Sequence, residues 1–523
     1  MPTDVMLVNL PMDDNWASRG GPELVAENLG LGYLAASLRR RGYAVKIADA
    51  IAEGLSAQEV FDRVVSANPR LLGSAIFQAS RRAVVEFCRA IKQARPGVKI
   101  ILGGQLARAA TAQLFKAPDI DLLCTGEGES AICEVMAALD GGDFANIAGI
   151  AWRCEDGIRI NPQALFVENL DSLAWPARDS LPAVMARGGL ARLASSRGCY
   201  HKCAFCSIHR FLPASSASRW RARTTGDVIE EMEFLAKSHG VDVIGFNEDS
   251  FFGPSKAGYA RAEELARTLI RKRSALKFAI ACRADDVVEE RFRLLKEAGL
   301  VVVEIGIESG AQTALDRWSK HISVEQNYRA LEILDRLGLT ANPGMILFDA
   351  HTTIGELRQN AGFFDRCASL KDMACRLELR VARKMIPYAG TPIRLRYAQE
   401  GRLHCDDLLD ADYERYEFCD PRVEAICAAM EQWEAASAPV RSACWDLGSG
   451  GYSVEVARKV RPLAEELAHL TFRVFDAAVT AAESDGGWNW RSPKPWPNAF
   501  DSELNGLATR LVALYPAEVE AVS

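Results

Sequence analysis

"SSRGCYHKCAFCSIHRF", residues 195–211, places Cys199, Cys203 and Cys206 within eight positions, with His201 and His209 among them. A structural zinc site wants four ligands, usually as two separated pairs, and here one short loop would have to supply all four. A disulfide framework is not expected in a long chain without a secretion signal. An iron–sulfur cubane fits the count in another way. Thiolates normally hold each of its four irons, so three cysteines leave one iron open to a cofactor or substrate. A chance cluster remains as a reading. Position speaks against it, because the loop directly follows the apolar stretch "ARLASS" (191–196), which opens a strand–helix series.

That series runs from 191 to about 400. Its strands are expected at "ARLASS", "DVIGFN", "KFAIAC", "VVVEIGI", "TANPGMILF" and "ACRLELRV". Helical patterns such as "GDVIEEMEFLAKSHG" and "SVEQNYRALEILDRLG" lie between them. Six repeats are too few for a closed eight-fold barrel, so an open, partial (β/α)6 barrel is expected, with its functional residues at the carboxyl ends of the strands.

Residues 1–140 show an earlier alternation: "VMLVNL", "AVKIADA", "LLGSAIF", "VKIILGG" and "DLLCTGEGES" separated by amphipathic stretches. Such alternation predicts a doubly wound, Rossmann-like α/β domain that binds its ligand at the carboxyl ends of a parallel sheet. The loops holding Gly103 and Gly104, and Gly126, Glu127 and Gly128, fall at those ends. They read equally as close-approach positions for a ligand or as tight turns. Residues 141–190 read as a hairpin around Asp156-Gly157 and a proline-bearing linker. Residues 401–523 read as a mostly helical accessory region containing the loop "WNWRSPKPWPN" (488–498), for which packing is favoured over pocket capping.

The 523 residues carry a formal net charge of −7, with 49% hydrophobic and 25% charged residues, as in an ordinary globular protein. No run of about 18 apolar residues suggests a membrane span. The N-terminus lacks the pattern of a signal peptide, so the cytoplasm is the expected compartment. The acidic balance and the lack of a basic tail argue against nucleic acid as a partner.

The C-x3-C-x2-C spacing, with Phe205 before the last cysteine, resembles that of the radical S-adenosylmethionine (SAM) enzymes. "IGFNEDSFF" (244–252), "CRADDV" (282–287), "EIGIESGAQTALDRWSK" (304–320) and "IPYAGTPI" (386–393) are similar to motifs of members with an N-terminal cobalamin-binding-type domain. "ENLGLGYLAASLRRRGY", "IILGGQ" and "CTGEGES" resemble that domain. The likeness covers residues 1 to about 400. It implies that Cys199, Cys203 and Cys206 ligate three irons of a 4Fe–4S cluster and that SAM chelates the fourth. Phe205, Ile346 and Leu347 would lie against the adenine. Asn247 and Glu248 would face the SAM amine, Arg283 its carboxylate and Glu308 its ribose. In the segment "MILFDAHTTIGEL", Asp349, His351, Thr352 and Thr353 replace the glycine- and proline-rich loop of many relatives. They serve either substrate binding or capping of the helix that follows.

For cobalamin the resemblance implies contacts from Gln78, Ser80, Gly103, Gly104, Gly126, Glu127 and Gly128. No histidine precedes His201, so this domain offers cobalt no imidazole. Many relatives bind cobalamin without one, and some keep the domain and use no cobalamin. Two reactions are thus expected. One is cobalamin-dependent methyl transfer to an unactivated carbon of a small-molecule natural product. The other is dehydration, dehydrogenation or rearrangement, for example of an aminosugar in antibiotic biosynthesis. Both need an electron donor such as flavodoxin or ferredoxin. A non-catalytic electron-transfer protein is the reading from another class. Six further cysteines between Cys367 and Cys444 lack a close C-x2-C pair, so no second cluster is expected there.

Overall fold

The computed structural model describes residues 2–12, 25–164, 166–208, 219–370, 373–378, 381–449, 454–484 and 495–514. His209 and residues 488–494 of the tryptophan-rich loop lie outside them.

The first sheet contains β1 (Val5–Asn9), β2 (Val45–Asp49), β3 (Leu71–Ala75), β4 (Lys99–Gly103), β5 (Leu122–Cys124), β6 (Ile150–Cys154) and β7 (Gly157–Ile160), in the order β2-β1-β3-β4-β5-β6-β7. β1 to β5 are parallel. All five residues of β1 are buried. Met6 and Val8 enter the core on one face, Val5 and Leu7 that on the other. A strand covered by helices on both faces reads as a continuous apolar run for this reason. The strand order reverses between β1 and β3, and there a crevice opens at the carboxyl edge. The hairpin β6–β7 adds antiparallel strands to this same sheet.

The second sheet is parallel, in the order β14-β13-β12-β11-β8. Its strands are β8 (Ala191–Leu193), β11 (Val243–Phe246), β12 (Lys277–Arg283), β13 (Leu300–Glu308) and β14 (Thr340–Met345). A two-stranded ribbon, β9 (Ser196–Gly198) against β10 (Trp220–Ala222), lies between β8 and β11 in sequence, and the sequence reading did not anticipate it.

The sixth strand differs from expectation. The helix Met373–Glu378 takes in the first five residues of "ACRLELRV" (374–381). Met373 and Leu377, four apart, are both buried in the main core, a helical spacing that a short apolar run disguises. The sixth place beside β14 holds only a parallel bridge, Phe348 with Lys384, among the described residues. The barrel is therefore a five-stranded sheet with one bridged segment at its edge.

Behind it, the helices Pro421–Ser449, Val454–Glu483 and Asn498–Leu514 share the barrel's apolar core. Phe364 stacks on Phe472 at 5.2 Å. Trp433 donates to Thr471 Oγ1 at 2.9 Å. Trp496, 3% exposed, packs edge-on against Trp433, so the described end of the tryptophan-rich loop is packed as expected. No described helix is long and apolar enough to cross a membrane.

Candidate functional site

The ribbon delivers the chain to the cysteines. Gly198, at φ +91°, adopts a conformation that few other residues tolerate and turns directly into Cys199. The loop is then pinned from three sides. Ala204 N–H donates to Trp318 O at 2.8 Å. Ile393 N–H donates to Ala204 O at 3.2 Å. Ser207 Oγ donates to Gln105 Oε1, in the first domain, at 2.8 Å. Arg283 Nη1 lies 3.8 Å from Cys203 Sγ.

Burial raises the Cys199 thiol above its usual range and pushes Cys206 up to about 12, with neighbouring thiols adding to both shifts. Among the described residues no three His, Cys, Asp or Glu side chains converge as a single metal ion would require. Iron's positive charge would offset the cost of holding three mutually repelling thiolates together. Burial lowers the His201 imidazole to about 4, so it is neutral near pH 7.

At the carboxyl ends of β12 to β14, polar side chains are tied to one another. Arg283, 7% exposed, grips Asp285 at 2.8 and 3.3 Å and donates to Lys320 O at 2.7 Å. Lys320 Nζ donates to Glu308 Oε1 at 2.8 Å. Glu308 has φ +63°, a costly conformation for a residue with a Cβ, at a bulge in the β13–β14 pairing. A Cβ added at Gly306 would stand 2.7 Å from Glu308 Oε1, so the carboxylate lies over that glycine. Phe205 meets Trp318 edge to face at 6.1 Å, and Ile346 packs into the same small cluster. Leu347 is 2% exposed in the main core. Both follow β14, which ends at Met345, and they enter different apolar clusters.

After β11, Glu248 accepts the Ser195 N–H at 2.7 Å and the Ser196 hydroxyl at 2.6 Å. Asn247 Oδ1 accepts from Arg192 at 2.8 Å. Both therefore shape the β8–β9 turn. Asp249, which the sequence reading passed over in the same "NEDS" string, accepts from Gly198 N–H at 3.2 Å beside Cys199. Trp318 and Lys320 were also missed as individual residues. Asp349, 0% exposed, accepts from the Trp318 indole at 2.5 Å and from Arg317 at 3.0 Å. Thr353 caps the helix Ile354–Cys367 in a box with Glu356, so capping holds for Thr353.

The first domain contributes a cavity of about 370 Å³. Gly103, Gly104, Gly126 and Gly128 line it, and so do Ser196, Arg197, Gly198 and Asn247–Asp249 of the barrel side. It thus bridges both sheets. Gly104, at φ +103°, is confined to glycine-like backbone. A Cβ at Gly103 or Gly126 would meet nothing nearer than 3.7 or 3.6 Å, so these two positions leave room that a side chain would fill. Glu127 lines the cavity, but its carboxylate is engaged by Arg197 and Arg221. Ser80 lies outside this lining, its Oγ accepting the Phe77 N–H at 3.4 Å. Gln78, 4% exposed, lines a neighbouring cavity with Phe205, Cys206 and Gln105. Its Oε1 accepts from Ala389 N–H at 3.0 Å, and its Nε2 is buried without a partner.

Residues 20–136 match the family model of the B12 binding domain, and residues 193–358 that of the radical SAM superfamily. The chain thus carries a B12-binding domain followed by a radical SAM domain. It is 26% identical over 411 residues to an uncharacterized methyltransferase of Pyrococcus horikoshii, covering 77% of this chain and 84% of that one. It is 29% identical to the anaerobic magnesium-protoporphyrin IX monomethyl ester cyclase of Rubrivivax gelatinosus, covering 60% and 58%. With the 4'-phospho-dehydrooxetanocin synthase of Priestia megaterium the identity is 25%, covering 71% and 52%. The chain thus spans little more than half the length of these last two relatives.

Among solved structures, the cobalamin-dependent SAM radical enzyme OxsB with aqua-cobalamin bound shares the fold at a TM-score of 0.79 and 20% identity, covering 100% of this chain and 81% of that one. The radical SAM methyltransferase TsrM from Kitasatospora setae, with cobalamin and a [4Fe-4S] cluster bound, does so at 0.60 and 18%, covering 93% and 100%. The radical SAM domain implies a 4Fe–4S cluster and SAM, and the B12-binding domain implies cobalamin. The grouped thiols, Cys203 buried and Cys199 and Cys206 half-buried, fit the first. The side-chain-free floor at Gly103 and Gly126, together with the unpartnered Gln78 amide, fits the last.

Proposed function

We propose that this protein is a cobalamin-dependent radical SAM methyltransferase that acts on an unactivated carbon of a small-molecule natural product in the cytoplasm. The observation that carries the reading is the shared cavity, whose lining runs from the glycine loops of the B12-binding domain to the residues just before Cys199. Methyl transfer needs the two cofactors side by side, and one continuous lining supports that. When bound, the cluster supplies the electron that cleaves SAM, and the corrinoid supplies the methyl group.

The chain's own residues would then act as follows. Cys199, Cys203 and Cys206 hold three irons. Phe205, kept on edge by Trp318, and Ile346 flank the adenine. Glu308, strained over Gly306, accepts from the ribose, while Lys320 and Arg283 fix its surroundings and balance charge near Cys203. Asn247 and Glu248 act one layer out, holding the β8–β9 turn. Gly103, Gly104, Gly126 and Gly128 let backbone approach the corrinoid, and Gln78 offers it an amide donor. A flavodoxin or ferredoxin supplies the electron.

The test is anaerobic purification, a visible spectrum, and SAM with a reductant. Corrin absorption together with a methylated product supports the proposal. Deoxyadenosine with loss of water or hydrogen and no corrin would replace it with the dehydratase or dehydrogenase reading. No SAM cleavage under any reductant would overturn both.

A further inference from the structure

The ribbon that leads into Cys199 has a built-in conflict. Its central pair sets Arg197 directly opposite Arg221. Like charges placed opposite one another destabilise a strand pair. The ribbon has only three residue pairs, and an isolated two-stranded ribbon of any length is marginal in water. What resolves the repulsion comes from the other domain. Glu127, just after β5, accepts from Arg221 Nη1 and Nη2 at 2.9 and 3.0 Å and from Arg197 Nη1 at 3.1 Å. Glu129 accepts from Arg197 Nη2 at 2.6 Å. The Val167 N–H also donates to Glu127, at 2.7 Å, and Val167 O accepts from Arg221 at 2.6 Å. Tyr33 and Phe166 place their rings 4.8 and 5.1 Å from the Arg197 and Arg221 guanidinium carbons. Glu127 is 7% exposed, and its carboxyl lies below the usual range because the paired cations outweigh burial.

Buried charge networks of this kind contribute little net stability against apolar packing, but they penalise every misaligned arrangement. We infer that Glu127 is a positioning residue: its carboxylate clamps the Arg197–Arg221 pair, so the B12-binding domain sets the register of the ribbon that holds Cys199. The approach to the cysteine loop is then ordered in part by the docking of the two domains.

The clamp has a signature of its own sign. Removing Glu127's charge leaves two facing cations with a carboxylate, Glu129, on Arg197 alone, and removing the Arg221 cation as well relieves them. Hydrogen exchange on the full-length, cofactor-free chain reads this without reference to the proposed reaction. Glu127→Gln should speed exchange of the backbone at 196–198 and 220–222 about tenfold, leaving the helix 498–514 unchanged. The double variant Glu127→Gln/Arg221→Gln should restore most of the protection, which loss of a merely structural contact would not do. In chains reconstituted with iron and sulfide and reduced with dithionite, the cluster's EPR signal should broaden in the single variant and narrow again in the double one. Unchanged exchange in Glu127→Gln, or a double variant as fast as the single, would overturn the inference. Should Glu127→Gln fail to fold, Arg221→Lys keeps the charge but loses the fork. Faster ribbon exchange there supports the clamp, and unchanged exchange overturns it.

Discussion

The carboxyl ends of the two parallel sheets are built in opposite ways. At the barrel, side chains crowd the edge: Arg283, Lys320 and Glu308 form a chain of contacts beside the cysteine loop, and Arg317, Trp318 and Asp349 form another below it. At the first sheet, side chains are withheld, and glycines leave open floor. A site that positions a small, charged cofactor needs directed groups. A site that receives a broad, largely rigid ring system needs room and backbone approach. The two edges therefore fail differently when altered.

The largest effect is expected at the thiolates. Serine at Cys199, Cys203 or Cys206 should abolish SAM cleavage and lower the iron bound per chain, measured by deoxyadenosine release and iron assay. Retained cleavage would remove the cluster from this loop. Next comes Asp349→Ala, which leaves the Trp318 indole and the His351 N–H without their acceptor and Arg317 with Glu356 alone. It should cost about 3 kcal/mol in chemical denaturation, and Trp318, which carries Phe205, should shift in fluorescence. An unchanged midpoint and spectrum would make the network dispensable.

A smaller effect concerns Asp286, 1% exposed, whose carboxyl burial pushes up to about 6 against a usual 3.8. The folded state then binds more protons than the unfolded chain between these values. Stability from this group is full below pH 4 and falls as pH rises through 6. Asp286→Asn should flatten that slope by about 2 kcal/mol, read as the melting temperature between pH 4 and 7. A slope that persists would place its origin elsewhere. The smallest change is at the open edge. Gly103→Val should weaken retention of hydroxocobalamin about tenfold, roughly 1.4 kcal/mol, by corrin absorbance after gel filtration. Undiminished binding would move the corrinoid away from this floor.

The two edges also differed in how far they could be read. The cysteine triplet stood out because its spacing lies within one loop. Their supports were not. Trp318 meets Phe205 across 113 positions, and Asp349 meets Trp318 across 31. The glycines marked the ends of the first sheet but did not tell a turn from a floor. Glu127 was read as a cofactor contact, while its partners Arg197 and Arg221 lie 70 and 94 residues on. "ACRLELRV" was read as a strand, since an apolar run of that length suits either period until its burial is known.

From sequence alone came the two α/β units, the helical tail and the cysteine triplet, because these rest on periodicity and on spacing within one segment; the radical chemistry came with the family resemblance. Tertiary structure decided the rest: that Ile346 packs with Phe205 and Trp318 while Leu347 enters the main core, that Thr353 is a cap, and that one cavity lining joins both domains at the threshold of Cys199. Those are facts about which groups meet, and distance along the chain does not encode them.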